Sequence, residues 1–354
     1  MKKRSNKKKL KKSVIVIMVA IVVLLVGIGG FLIFGKEENK PILDKFIKEP
    51  KKEEEKKQKV EVIDVDSNTR NVAVMINNIK KVWGYQSGLQ DAHIIYEIIT
   101  EGGITRLMAI YKDKETARIG SVRSARIYYI DYVLENDAIY VHVGGSKEAI
   151  SDINTLGISD LNAQTIFRDK TLGLNTEHTA FTSMELINNK VSSRKMRATT
   201  EKKNLLIYSI DELDLSKTEG AIKADDVYIS YSGSKSTTFK YDEENKVYKR
   251  FQNDIAHIDY VTKEQYTAKN IITYQVPNRS YDSYGRQELD NIGKGNGYFI
   301  TNGYAVPITW EKKNRSSQTV YKYLNGEEII VNDGNTYIQI QPKNRDFKIN
   351  ELNY

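Results

Sequence analysis

The stretch from Val14 to Phe34 limits this chain more than any other: 21 consecutive residues carry no charge, and most are Val, Ile or Leu. At about 1.5 Å rise per residue, a helix of that length spans the ~30 Å hydrocarbon core of a bilayer. A cleaved export signal has an apolar region of only ~7–15 residues and ends in an A-x-A-like site, which is missing here. A single uncleaved transmembrane helix is therefore expected over residues 13–35. Eight Lys or Arg precede it between Lys2 and Lys12, whereas the flank after it mixes both signs. The positive-inside rule then holds residues 1–12 in the cytoplasm and exports the bulk of the chain.

Charge and composition fit that division. The basic tail accounts for the whole formal net charge of +8, and nine Lys against seven acids between Lys36 and Lys59 add two more, so residues 60–354 are two negative. A nearly neutral folded part gives no reason to expect a nucleic-acid partner. Cys is absent, which excludes thiol nucleophiles, disulfides, thiolate metal sites and a lipid-modified cysteine. Residues 36–60 are rich in Lys and Glu and poor in apolar residues, the composition of a flexible linker. About 25 residues of such a spacer have an r.m.s. span of only ~25–30 Å, so the folded part is expected to act close to the outer membrane face.

Beyond the linker, Asn71–Asn78 and Ala92–Thr100 read as strands, and Thr105–Tyr111 returns after a hairpin turn at Glu101-Gly102-Gly103. Ser121 is expected to cap a helix running to about Asn136, Ala138–Val143 to form a strand, and Ser146 to cap a second helix ending at Gly157. Alternating strands and helices predict a layered α/β domain over 61–210. Short β-rich runs from Val227–Tyr231 to Thr336–Gln341, separated by Gly, Asn and Asp, predict a smaller all-β sandwich or barrel over 211–354. Gly293-Lys-Gly295-Asn-Gly297 reads as a turn among those strands.

The segment Glu101–Tyr129 concentrates Arg106, Arg118, Arg123 and Arg126. Arg123 and Arg126, three apart, would share a helix face, and cations in a first helical turn oppose the macrodipole. A negative partner is expected, either from a carboxylate such as Glu97, Glu101 or Asp131 or from an anionic ligand. His142, Gly144, Gly145 and Ser146 stand at a strand-to-helix junction where backbone N–H groups can approach an anion. Glu97 and Glu101 are the candidate acid and base if the site is catalytic. His93, His142, His178 and His257 show neither H-x-H nor H-E-x-x-H spacing, so no metal is expected. Without a G-x-S-x-G elbow, a Walker loop or G-x-G-x-x-G, no cofactor is expected either.

The blocks RNVAVMINN, QSGLQDAHIIYEIITEGGITRLMAIY, ARIGSVRSAR, YVHVGGS, NGYAVPITWEK and DGNTYIQIQP resemble the YerB-like family of bacterial lipoproteins (domain of unknown function 3048, N- and C-terminal domains) over about residues 65–345. The resemblance implies a Gram-positive-type envelope protein with two domains and no assigned reaction. This chain departs from it in lacking the lipid-bearing Cys, whose role the Val14–Phe34 span would take. The layout of residues 104–145 also loosely resembles the LytR–CpsA–Psr ligases, which bind a polyprenyl pyrophosphate. Their Arg-Asp pair is not reproduced at Arg123-Ser124 or Arg126-Ile127, which counts against metal-assisted phosphotransfer.

Three readings follow. The first is an extracytoplasmic regulatory protein binding an anionic cell-wall precursor or wall-synthesis protein. The second is an enzyme on phosphate-linked envelope polymers, and the third a scaffold for a membrane enzyme.

Overall fold

The computed structural model describes residues 59–354. The expected cytoplasmic tail, the membrane span and nearly all of the linker lie outside the described residues. Among the described residues no helix is long and apolar enough to cross a membrane. The described residues belong to one compact unit.

Three fully buried strands open the fold: β1 (Val72–Asn77), β2 (Ile94–Ile99) and β3 (Thr105–Tyr111). Strands β2 and β3 form the expected hairpin, and Gly102 and Gly103 both take positive φ in its turn, a conformation that a residue with a Cβ adopts only at a cost. Helix α1 (Ile127–Glu135) leads to β4 (Ile139–Val141), which lies parallel to β1. Helices α2 (Lys147–Thr155) and α3 (Met184–Ser193) follow, each with a serine, Ser146 and Ser183, accepting a backbone N–H at its N-cap.

The second half of the sequence is almost all strand: β5 (Asp226–Ser232), β6 (Lys235–Asp242), β7 (Val247–Gln252), β8 (Asn270–Val276), β9 (Gly293–Thr301), β10 (Tyr304–Lys312), β11 (Val320–Tyr323), β12 (Thr336–Pro342) and β13 (Phe347–Ile349). These strands divide between two sheets. One is all-antiparallel, built around β7-β6-β5-β13. The other is a mixed ten-stranded sheet with the order β11-β10-β9-β8-β12-β2-β3-β1-β4 and the short strand Ile222–Lys223 paired to β10. Strand β12 lies parallel to both β8 and β2 and is buried along its whole length, as parallel strands covered on both faces are. The architecture is thus a mixed α/β sheet with an all-antiparallel sheet, and residues 61–210 and 211–354 jointly build the larger one.

Two local expectations are corrected. The helix expected from Ser121 begins at Ile127, with Arg126 at its N-cap. Residues 122–125 are engaged elsewhere: Val122 N–H bonds to Ala180, Arg123 N–H to Met75 and Ala125 N–H to Gly144. Their backbone groups are satisfied by three other segments and do not form a helical turn. Arg123 and Arg126 therefore do not share a helix face. The Gly293–Gly297 run is not a turn but the start of β9. A Cβ on Gly295 would sit 2.8 Å from the Trp310 ring nitrogen, and one on Gly297 would sit 2.4 Å from the Thr273 carbonyl, so the glycines permit close strand approach.

In the β2–β3 register Glu97 lies opposite Leu107, and Ile98 opposite Arg106. Side chains alternate along a strand, so Glu97 and Arg106 project from opposite faces of the sheet. Glu97 meets the antiparallel sheet. Its carboxylate is fully buried and accepts from Arg250 Nη2 at 2.7 Å and from Thr105 and Thr237, with Lys235 Nζ 3.6 Å away. Arg250 also donates to His257 Nδ1, and the far ring nitrogen of His257 reaches Gln86 Oε1. Burial acts to raise the Glu97 carboxyl, but Arg250 and Lys235 outweigh it and hold it below its ordinary value. Burial lowers Lys235 to about 7 despite Glu97. Removing one member of a buried ion pair leaves an uncompensated charge and costs about 3–5 kcal/mol. Arg250→Ala should lower unfolding stability by that amount, measured by urea denaturation, whereas an exposed-pair variant such as Lys246→Ala should cost about 1 kcal/mol or less.

Candidate functional site

On the helical face, the segment from Ser121 to Arg126 bridges β1, the Ala180–Thr182 strand and the Gly144 turn, and this bridging positions the arginines. Arg106, buried on β3, donates Nη1 to the Ser124 carbonyl and Nη2 to Glu101 Oε1 at 3.1 Å. Arg126 donates Nε to Glu101 Oε2 at 2.9 Å and Nη2 to Glu101 Oε1. One carboxylate thus serves two guanidinium groups. Burial acts to raise the Glu101 carboxyl, but hydrogen bonding from Arg126 and the charges of both arginines push it down to about 2.

Arg123 and Arg118 find their partners much further along the chain, on the loop between Phe167–Arg168 and Ala180–Thr182. Arg123 Nη2 donates to Glu177 Oε2 at 2.7 Å, and Arg118 Nη2 to Asp169 Oδ2 at 2.9 Å. Glu177 is held below its ordinary value by the hydrogen bond and charge of Arg123. Asn77 Nδ2 lies 3.1 Å from His178 Nδ1 beside it.

The Gly-rich junction is occupied internally. His142 is buried, its Nδ1 2.7 Å from the Gly144 carbonyl and its Nε2 2.7 Å from Asp160 Oδ1, though off the line of a hydrogen bond. Gly144 N–H is taken by Asn162, and Gly145 is packed so tightly that a Cβ would lie 2.9 Å from Ile150. Ser146 Oγ accepts from Ala149 N–H. Glu97 is remote from the cluster on the opposite sheet face, and Asp131 pairs with Arg315.

Sequence reasoning reached the four arginines and Glu101 but not Asp169 or Glu177. The contacts of Arg118 and Arg123 close loops of more than fifty residues, |i−j| being 51 and 54. No local spacing signals such a pairing.

Helices on one face of a mixed sheet, an antiparallel sheet against the other, and an arginine cluster paired to loop carboxylates define a two-part α/β protein. The chain belongs to the family described as Protein of unknown function (DUF3048), whose N-terminal domain matches residues 60–197 and whose C-terminal domain matches residues 227–338. It is 26% identical over 278 residues to Putative lipoprotein YerB of Bacillus subtilis (strain 168), covering 77% of this chain and 81% of the relative. The crystal structure of YerB protein from Bacillus subtilis superposes with a TM-score of 0.67 at 24% identity, over 79% of this chain and 94% of that one. That likeness is one of fold.

A carboxyl held lower in the folded state than in the unfolded one stabilises the fold above its unfolded value, and the contribution disappears as pH falls through the folded value. Glu101 stabilises fully above its ordinary 4.5 and loses its contribution as pH approaches about 2. In unfolding titrations against pH, wild type should exceed Glu101→Gln at neutral pH, and the gap should narrow below about pH 4.5 and close as pH approaches about 2.

Proposed function

We propose that this chain is a membrane-associated, extracytoplasmic envelope protein that binds an anionic cell-wall-related ligand or partner in a regulatory role. The observation that carries the reading is a cation surplus: the single carboxylate of Glu101 is shared by Arg106 and Arg126. That group leaves one positive charge unmatched, and a second anion has an electrostatic reason to enter. The lipoprotein named among the relatives supports an extracytoplasmic place at the membrane, with the uncharged Val14–Phe34 span acting as the anchor.

The catalytic alternative draws no support from its expected acid and base. Glu97 is sealed in the core under Arg250. Glu101, held at about 2, is a weak base at neutral pH, because a general base works best with a value near the operating pH.

The full chain in lipid nanodiscs, titrated with a lipid-linked wall precursor carrying a pyrophosphate, tests the reading. The double variant Arg123→Ala/Arg126→Ala should weaken binding at least about tenfold, which is ~1.4 kcal/mol. Unchanged affinity in a folded double variant contradicts it.

A further inference from the structure

Arg118 is set apart from the other three arginines by what lies on its faces. Its guanidinium carbon lies 3.7 Å from the Phe181 ring centroid, 5.4 Å from that of Tyr260 and 5.8 Å from that of Phe167. Tyr85 adds a fourth ring, 5.7 Å from Tyr260, and Lys263 Nζ caps Tyr260 at 4.2 Å. The rings come from four separate segments. Phe181 is buried and forms the floor, Tyr85 and Tyr260 are half-buried, and Phe167 is 38% exposed.

The polar edge of this platform is only partly satisfied. Arg118 Nη2 donates to Asp169, whose other oxygen accepts from the Thr171 backbone and hydroxyl. Arg118 Nε is buried and has no hydrogen-bond partner among the described residues. That nitrogen is out of a ligand's reach, but the Arg118 side chain keeps 17% exposure. A ligand that brings hydroxyls to the exposed part of the guanidinium while packing on the exposed Phe167 ring gains from both.

We infer that the Arg118 platform, formed by Tyr85, Phe167, Phe181 and Tyr260, is a carbohydrate-binding site for the hexose rings of a glycan. The axial C–H face of a pyranose carries weak positive charge and packs on the negative face of an aromatic ring. Its equatorial hydroxyls lie in the plane where a guanidinium–carboxylate pair offers both donors and acceptors. Cation–π contact with Arg118 and Lys263 holds the rings in place before binding, so little ordering remains for the ligand to impose. This site does not rest on the anion-binding reading, which uses Arg123 and Arg126.

The test is titration of the full chain in nanodiscs with chitotetraose, followed by tyrosine fluorescence and calorimetry. Saturable binding is expected, weakened at least tenfold by Tyr260→Ala and by Phe167→Ala and unchanged by Lys246→Ala. Phe167 is exposed enough for its alanine variant to fold, so it decides the matter if Tyr260→Ala does not. No saturable binding by wild type, or wild-type affinity in a folded Phe167→Ala variant, overturns the assignment. So does an equal loss in Val261→Ser, which removes only a neighbouring aliphatic group and would mark a general apolar docking surface.

Discussion

The buried carboxylate of Glu97 ties the two sheets together. It stands on β2, within the first third of the chain, and its counter-charges arrive from β6 and β7, 138 to 153 residues later. A charge at zero exposure is tolerable only when paired and hydrogen-bonded. The antiparallel sheet must therefore close over the mixed sheet in one register, with Arg250, Thr237 and Lys235 against Glu97. Strand β12 reinforces the link from another direction, because it comes from near the C-terminus yet occupies the slot between β2 and β8. Neither sheet is complete without both halves of the sequence.

The arginine cluster follows from the same strand alternation. Because Glu97 points to one face of the sheet, Arg106 points to the other, where Arg126 and Glu101 meet it at the start of α1. The loop bearing Asp169 and Glu177 then folds back on Arg118 and Arg123, so one surface element holds two of the four guanidinium groups. Arg118 and Arg123 are each matched by one carboxylate, whereas Arg106 and Arg126 share the carboxylate of Glu101.

Much of this was legible in the sequence and some was not, for physical reasons. Strands β1, β2 and β3 were readable because their apolar runs are bounded by polar or turn residues, and the β2–β3 turn because paired glycines announce positive φ. Ser146 announced α2 by its cap, whereas α3 and its Ser183 cap were hidden inside a polar, Lys-rich stretch. The start of α1 was misread because the residues after Ser121 have their backbone bonds taken by three distant segments, which propensity does not register. The Gly293–Gly297 run was misread as a turn because glycine's other use, letting Trp310 and the Thr273 carbonyl come close, depends on a neighbouring strand. The roles of Glu97 and of the Asp169 and Glu177 partners were out of reach, since each depends on contacts far apart along the chain.

If the two halves form one cooperative unit through the Glu97 core, they must unfold together. The only tryptophans are Trp83, whose ring lies under Lys235 Nζ, and Trp310, which packs on Tyr274 in the mixed sheet. Urea unfolding followed separately in Trp310→Phe and Trp83→Phe proteins reads one half each. The account predicts superimposable transitions with a common midpoint and slope, as two-state behaviour requires. Two separate midpoints, one for each tryptophan, would contradict it.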